Sequence, residues 1–268
     1  SEAVNLRVSY AGGYRAPQAF DEDMHIAVVG GKRVRIRLAD DLKEERSHSV
    51  SLSADLYHNF GRVQTNLLVE GFYTILDDVF ALRDLEDTDD GGKIKERYNG
   101  SGAAVRGFNV EGRAIFTRWF ELQAGVTLQQ SRYKEPEQWS EDADVPPVRR
   151  MFRTPDAYGY FTASFKPVRN FTADLTGTCT GSMLVQHMAG SGVAQDAAVS
   201  TPSFFDMNVR LSYDLRIYKE ITLQLYGGVQ NLFNAYQKDF DKGADRDSGY
   251  IYGPSLPRSW FVGAKFSF

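Results

Sequence analysis

Ten segments with period-two alternation of apolar and polar side chains, connections that switch strictly between long and short, and a mean hydropathy of −0.39 predict an all-β chain. The predicted architecture is a transmembrane antiparallel β-barrel, because one face of each strand suits lipid and the other suits water. A membrane helix needs about 18 consecutive apolar residues, and the sequence holds no such run.

The segments are expected at 2–14, 45–59, 62–77, 104–117, 119–132, 157–166, 170–182, 203–215, 220–233 and 258–268. Each meets or exceeds, within a residue or so, the ~9–11 residues that a tilted strand needs to cross a bilayer. In 45–59, Val50, Leu52, Ala54 and Leu56 alternate with Ser49, Ser51, Ser53 and Asp55. In 62–77, Val63, Thr65, Leu67 and Val69 oppose Arg62, Gln64 and Asn66. Residues 119–132 set Phe120, Leu122, Ala124, Val126 and Leu128 against Glu121, Gln123, Thr127 and Gln129. Phe205, Met207, Val209, Leu211 and Tyr213 form one face of 203–215, and Ile221, Leu223 and Leu225 one face of 220–233. The last strand carries Trp260, Val262, Ala264, Phe266 and Phe268 as a single apolar stripe. A soluble protein avoids such a stripe on an edge strand, because it attracts other chains.

The connections are the second argument. Residues 15–44, 78–103, 133–156, 183–202 and 234–257 are long and polar, whereas Asn59-Phe60-Gly61, Arg118, Pro167-Val168-Arg169 and Arg216-Ile217-Tyr218-Lys219 are tight. Outer-membrane barrels keep short turns in the periplasm and long loops outside. That parity sends the first strand outward from residue 1 and brings the last one back to a periplasmic end. Phe60, Trp119, Phe120, Phe171, Tyr218 and Phe268 then fall at the periplasmic rim, with Tyr14, Tyr73, Tyr133 and Phe233 near the outer one. Gly263, Phe266 and Phe268 resemble the C-terminal signal by which such barrels are recognised for assembly.

A net charge of −4 and a pI near 5.6 give no basic footprint for nucleic acid. The single Cys179 excludes an internal disulfide.

Four motifs recur in the order of a known family. Gly13-Tyr14-Arg15-Ala16-Pro17-Gln18-Ala19-Phe20-Asp21-Glu22-Asp23 resembles the strand-to-loop signature of TonB-dependent outer-membrane receptors, and Asp41-Leu42-Lys43-Glu44-Glu45-Arg46-Ser47 resembles the start of their next strand. Asn231-Leu232-Phe233-Asn234-Ala235-Tyr236 is similar to their near-terminal motif, followed by Tyr250-Ile251-Tyr252-Gly253-Pro254 and Leu256-Pro257-Arg258. The resemblance covers essentially all of 1–268. Those receptors are plugged barrels of 22 strands, so it implies the C-terminal portion, about the last ten strands, with plug, TonB-contacting segment and earlier strands not seen here. It further implies an active transport receptor for a scarce nutrient, namely a ferric siderophore, haem or cobalamin. The implied partners are outer-membrane lipid, the TonB complex through the N-terminal part, and the nutrient, with a surface lipoprotein as a candidate partner of the loops. The rival reading is a self-contained ten-stranded outer-membrane barrel acting as an enzyme or adhesin, which would cluster acid, His or Ser residues at one rim. No such cluster is legible, and no enzyme activity is assigned.

Candidate site residues lie in the expected external loops. His25, Met183, His187 and Met188 are candidate substrate contacts, since transporter specificity is usually built from such loops. Asp84-Leu85-Glu86-Asp87-Thr88-Asp89-Asp90-Gly91-Gly92 spaces hard carboxylate oxygens before glycines, which makes Asp87 and Asp89 candidate ligands for calcium, and 239–247 repeats the theme. A solvated acidic loop is the plainer explanation. Arg7, Arg106, Arg113 and Arg210 are expected to face the lumen.

Overall fold

The computed structural model describes residues 3–18, 34–87, 93–190, 192–254 and 256–268. Among these there is no helix. The strands are β1 Val4–Arg15, β2 Val34–Leu38, β3 Glu45–Phe60, β4 Val63–Asp77, β5 Phe80–Asp87, β6 Lys93–Asn99, β7 Ala103–Thr117 and β8 Phe120–Glu137. They continue with β9 Val148–Arg150, β10 Ala157–Val168, β11 Phe171–Thr180, β12 Leu184–His187, β13 Ala197–Ser200, β14 Phe204–Tyr218, β15 Ile221–Gln230 and β16 Ser259–Ser267.

All ten expected segments are strands of one antiparallel sheet, ordered β1-β3-β4-β7-β8-β10-β11-β14-β15-β16. Each long strand therefore lies beside the next, as an up-and-down barrel wall requires. Register keeps like with like: Val8 faces Leu52, Leu52 faces Gly71, Val69 faces Val110 and Val126 faces Gly159. A one-residue slip anywhere would swap the two faces. β1 and β16 remain the two edges of this sheet.

The apolar face is open. Leu6 and Val8 are each 74% exposed, Trp260 76% and Val262 90%. Apolar side chains of this size, contiguous across ten strands, form a band far beyond the few hundred Å² that soluble monomers expose. The opposite face is hydrogen-bonded. Asn109 donates to Glu70 at 2.9 Å, Gln123 to Glu111 at 2.9 Å and Ser164 to Asp174 at 2.7 Å. Where aromatic rings cross this face, a glycine lies underneath: a Cβ on Gly263 would meet the Tyr226 ring at 2.5 Å.

The tight turns share one end. Gly61 has φ +64° and Lys219 φ +43°, both left-handed, and the pairs β7–β8, β10–β11 and β14–β15 each shift register beside their turn. Such bulges turn a strand sharply and increase its twist.

Three expectations are corrected. The long connections are not merely polar loops, because they hold β2, β5, β6, β9, β12 and β13; β2 pairs parallel with β6 and β5 antiparallel with β6, joining two loops in one small sheet. Arg7, Arg113 and Arg210 do lie on the polar face, opposite Ser53, Asn66 and Asp174, but Arg106 pairs with Tyr73 on the apolar face, one step above Phe108. Tyr133 turns from the outer rim into a cavity among the loops, having the odd-numbered parity of Gln129 rather than that of Leu128.

Candidate ligand site at the loop end

The end of the sheet opposite the tight turns is built over by the long loops, and a cavity of about 1060 Å³ lies among them. Glu45 begins one wall: its Oε2 accepts from Arg15 at 3.2 Å and from the Phe80 amide at 3.0 Å. This ties the top of β1 to the start of β5. The Arg15 guanidinium lies 4.8 Å from the Phe80 ring centre, and that of Arg97 5.9 Å from it. Asn99 closes the base of the small sheet, donating to the carbonyls of Lys43 at 3.0 Å and Asp78 at 2.7 Å. Across the cavity, Arg153, left-handed at φ +58°, donates to the carbonyls of Ile251, at 3.0 Å, and Gly249.

Four cations line the cavity, Arg15, Lys95, Arg97 and Arg153, against two carboxylates, Glu137 and Asp247. Burial pushes the Glu137 carboxyl up from its ordinary value. Asp247 is spent locally, accepting from the amides of Met188 and Gly249 at 2.8 Å each. Phe80, Tyr133, Trp139 and Phe152 supply aromatic faces, and the buried Trp139 Nε1 has no hydrogen-bond partner. Arg15 is paired with Glu45 and Lys95 with Glu141, at 3.5 Å, so the lining offers guanidinium donors beside aromatic faces, chemistry that suits an anionic, flat-ringed ligand.

A second core supports the cavity. Val185, Phe204, Tyr250 and Tyr252 are buried together, with Met183, Val199 and Ala235 packed around them. This is where the β12–β13 hairpin meets the last long loop. The His187 ring stacks on Tyr250 with centroids 3.7 Å apart, and its Nε2 lies 3.0 Å from both Asp241 oxygens. Asn231 clamps the loop ends. Its Nδ2 donates to the carbonyls of Ala235 at 2.8 Å and Leu256 at 2.9 Å, and its Oδ1 accepts from the Ala235 amide at 2.7 Å.

Tyr250 and Tyr252 both donate to Asp239, at 2.8 and 2.6 Å. Burial, then the bond to Asp239, pushes the Tyr252 phenol up to about 12 and that of Tyr250 well above its usual range. Burial alone would raise Asp239, but the bonds from the two phenols outweigh it and hold the carboxyl below its usual value. A raised phenol stabilises the fold below its unfolded value of 10.0 and loses that contribution as pH rises toward about 12. A lowered carboxyl stabilises above 3.8 and loses its contribution as pH falls. The loop is thus expected to keep full protease protection between about pH 4 and 10. Tyr250 and Tyr252 should be among the tyrosines still un-ionised by phenolate absorbance midway between 10.0 and about 12; complete ionisation there with the loop still protected would contradict the arrangement.

The sequence-derived candidates scatter. Met188 lines the cavity, Met183 packs on the loop core, and His187 is 6% exposed within it. His25 and Asp89 lie outside the described residues, and Asp87 is the last residue of β5. No group of three metal-binding side chains occurs among the described residues. In 239–247, Asp239 and Asp241 are engaged by Tyr250, Tyr252 and His187. Gly263 lies beneath Tyr226, Phe266 faces Leu223 on the apolar side, and Phe268 is fully exposed. Sequence reasoning missed Arg15, Phe80, Arg97, Trp139, Phe152 and Arg153. Arginines and aromatics clustered in four of the five expected external loops were the available signal.

Comparison with curated proteins finds no match. The family profile described as TonB dependent receptor-like, beta-barrel matches residues 1–232. Among solved structures, the chain resembles the ferric-catecholate import receptor Fiu from E. coli K12, with TM-score 0.63, 18% identity, and 98% of this chain covering 33% of that one. It also resembles the ferric enterobactin receptor PfeA from Pseudomonas aeruginosa in complex with enterobactin, with TM-score 0.66, 15% identity, and 98% covering 38%. The copper transporter OprC gives TM-score 0.65 at 13% identity, 99% covering 37%. The chain spans well under half of each of these structures. At such identities they show a shared fold and leave the cargo open. With the expected strands, their neighbour order and the family profile in agreement, the chain belongs to the TonB-dependent receptor β-barrel family.

Proposed function

We propose that this chain is the C-terminal barrel portion of an outer-membrane transport receptor that captures a ferric siderophore with anionic, aromatic arms. The observation that carries the reading is the cavity at the loop end, with four cations against two carboxylates and four aromatic side chains. Haem would also present anionic groups, whereas cobalamin offers a larger, amide-rich surface with less use for guanidinium groups. Two relatives of the same fold are described as ferric-catecholate and ferric enterobactin receptors, which supports the choice. Met188 and the Trp139 ring are proposed ligand contacts, with His25 from the segment between β1 and β2. Calcium at Asp87 and Asp89, and a surface lipoprotein over the loops, are further proposals.

The unpaired edges of β1 and β16 support a larger barrel, since each unsatisfied backbone group in hydrocarbon costs several kcal/mol. In that barrel the TonB complex would act through parts of the receptor other than these ten strands. Gly263, Phe266 and Phe268 are proposed as its assembly signal. The test is the intact mass of the native gene product extracted from outer membranes with detergent. A mass more than twice 30.1 kDa, on a band whose mobility changes on boiling, is expected. A mass near 30.1 kDa would return the reading to the self-contained barrel.

A further inference from the structure

On the apolar face, the β7–β8 pair changes character abruptly at its outer end. Phe108 faces Leu128, then Arg106 faces Gln130, then Ala104 faces Arg132. Arg106 and Arg132 are exposed diagonal neighbours on one face. Like charges so placed repel. The other cations of this tier have carboxylate partners: Arg46 pairs with Glu44, and Lys134 with Asp77. Arg106 hydrogen-bonds only the neutral Gln130, at 2.8 Å, and neither arginine has a carboxylate partner among the described residues. Asp156, nearby, is taken by Arg150 at 3.1 Å.

Below Arg106, the apolar face carries a groove of about 660 Å³. Val50 and Leu52 form one wall, Phe108 and Leu128 the other, and Arg106 stands at its end. In register Gly71 lies between Leu52 and Phe108, and a Cβ there would come within 3.4 Å of the Phe108 ring, which leans over it. A same-face step is two residues, about 5 Å of height for a strand tilted by ~40°. The headgroup layer outside ~30 Å of hydrocarbon is itself about 5–7 Å deep on each side. Arg106, one step above the last apolar pair, therefore lies at headgroup depth, and Arg132, two steps above it, at the outer edge of that layer, on the side of the long loops.

We propose that this surface is a binding site for a phosphate-bearing lipid of the external leaflet, with an acyl chain in the groove and the headgroup phosphate bridging Arg106 and Arg132. Guanidinium groups bind phosphate through paired, charge-assisted hydrogen bonds. An anion there relieves the repulsion that the protein itself leaves uncompensated. The inference rests on the membrane-spanning reading above.

The test uses the full-length receptor in detergent and its Arg106→Gln/Arg132→Gln variant, titrated with lipid A carrying its phosphates, with dephosphorylated lipid A and with inorganic phosphate. The wild type is expected to bind the phosphorylated lipid at least tenfold more tightly than the variant does, and both to bind the dephosphorylated lipid equally weakly. Inorganic phosphate at the same concentration is expected not to compete. Equal binding by wild type and variant would overturn the proposal, as would full displacement by inorganic phosphate, which would mark a simple anion site. Mobility change on boiling, followed for both proteins, reports the membrane barrel separately: its loss in the wild type would refute the membrane reading, and its loss in the variant alone would move the comparison to Arg132→Gln.

Discussion

Replacing Asn231 by alanine is expected to release the loop 234–257 from the barrel rim while leaving the sheet intact. Asn231 is 2% exposed and left-handed at φ +49°. Alanine removes three side-chain hydrogen bonds, at a net cost of about 0.5–1.5 kcal/mol each, and holds a left-handed conformation at a cost of roughly 1–2 kcal/mol. A combined loss of about 3–5 kcal/mol exceeds what a single surface loop holds in reserve. The measurement is limited proteolysis of the detergent-folded receptor. Cleavage within 234–257 should appear, with unchanged mobility before boiling. Asn231→Gly, which keeps the backbone freedom and loses only the bonds, should fall between wild type and alanine. Equal protection of all three would show that the clamp does not hold the loop.

The second large effect concerns the cavity. Arg15 and Arg153 are exposed where Arg97 is 4% exposed, so the first two are available to a ligand and the third chiefly supports the wall. Hydrogen bonds to charged groups contribute about 1.5–3 kcal/mol each. Arg15→Gln/Arg153→Gln should therefore weaken ferric-catecholate binding by about a hundredfold or more, since ~1.4 kcal/mol is tenfold. Arg153 also holds the Gly249 and Ile251 carbonyls. Arg15→Gln alone, where only the Glu45 ion pair and the Phe80 stack are lost, separates charge from loop position. Unchanged affinity in both variants would remove the cations from the binding site.

The ten long strands were legible because each carries two opposed faces, and because register errors would exchange lipid for water along an entire strand. The loop strands were not. β2 has five residues and pairs with β6, which follows it by some 55 positions and runs parallel, so no local turn signal announces it. Parity in the sequence already placed Arg106 with Phe108 and Tyr133 with Gln129, yet a lumen position for a cation and a rim position for a tyrosine were assumed from their chemistry. The cavity was the least legible part. Arg15, Phe80, Trp139, Arg153 and Gly249 come from four loops, and only the folded rim brings them together. The motif beginning at Asn231 was recognised by resemblance, but its reason, a left-handed turn with three bonds across the loop ends, is visible only in the structure.

The most direct measurement of the central claim is an equilibrium titration of the full-length receptor, followed by the fluorescence of Trp139 against a Trp139→Phe control. Ferric tris-catecholate chelate, haem and cobalamin are the three ligands. The account predicts saturable quenching of the Trp139 signal by the ferric chelate at sub-micromolar concentration, lost in Arg15→Gln/Arg153→Gln. Tight binding of cobalamin or haem, with no response to the ferric chelate, would contradict it.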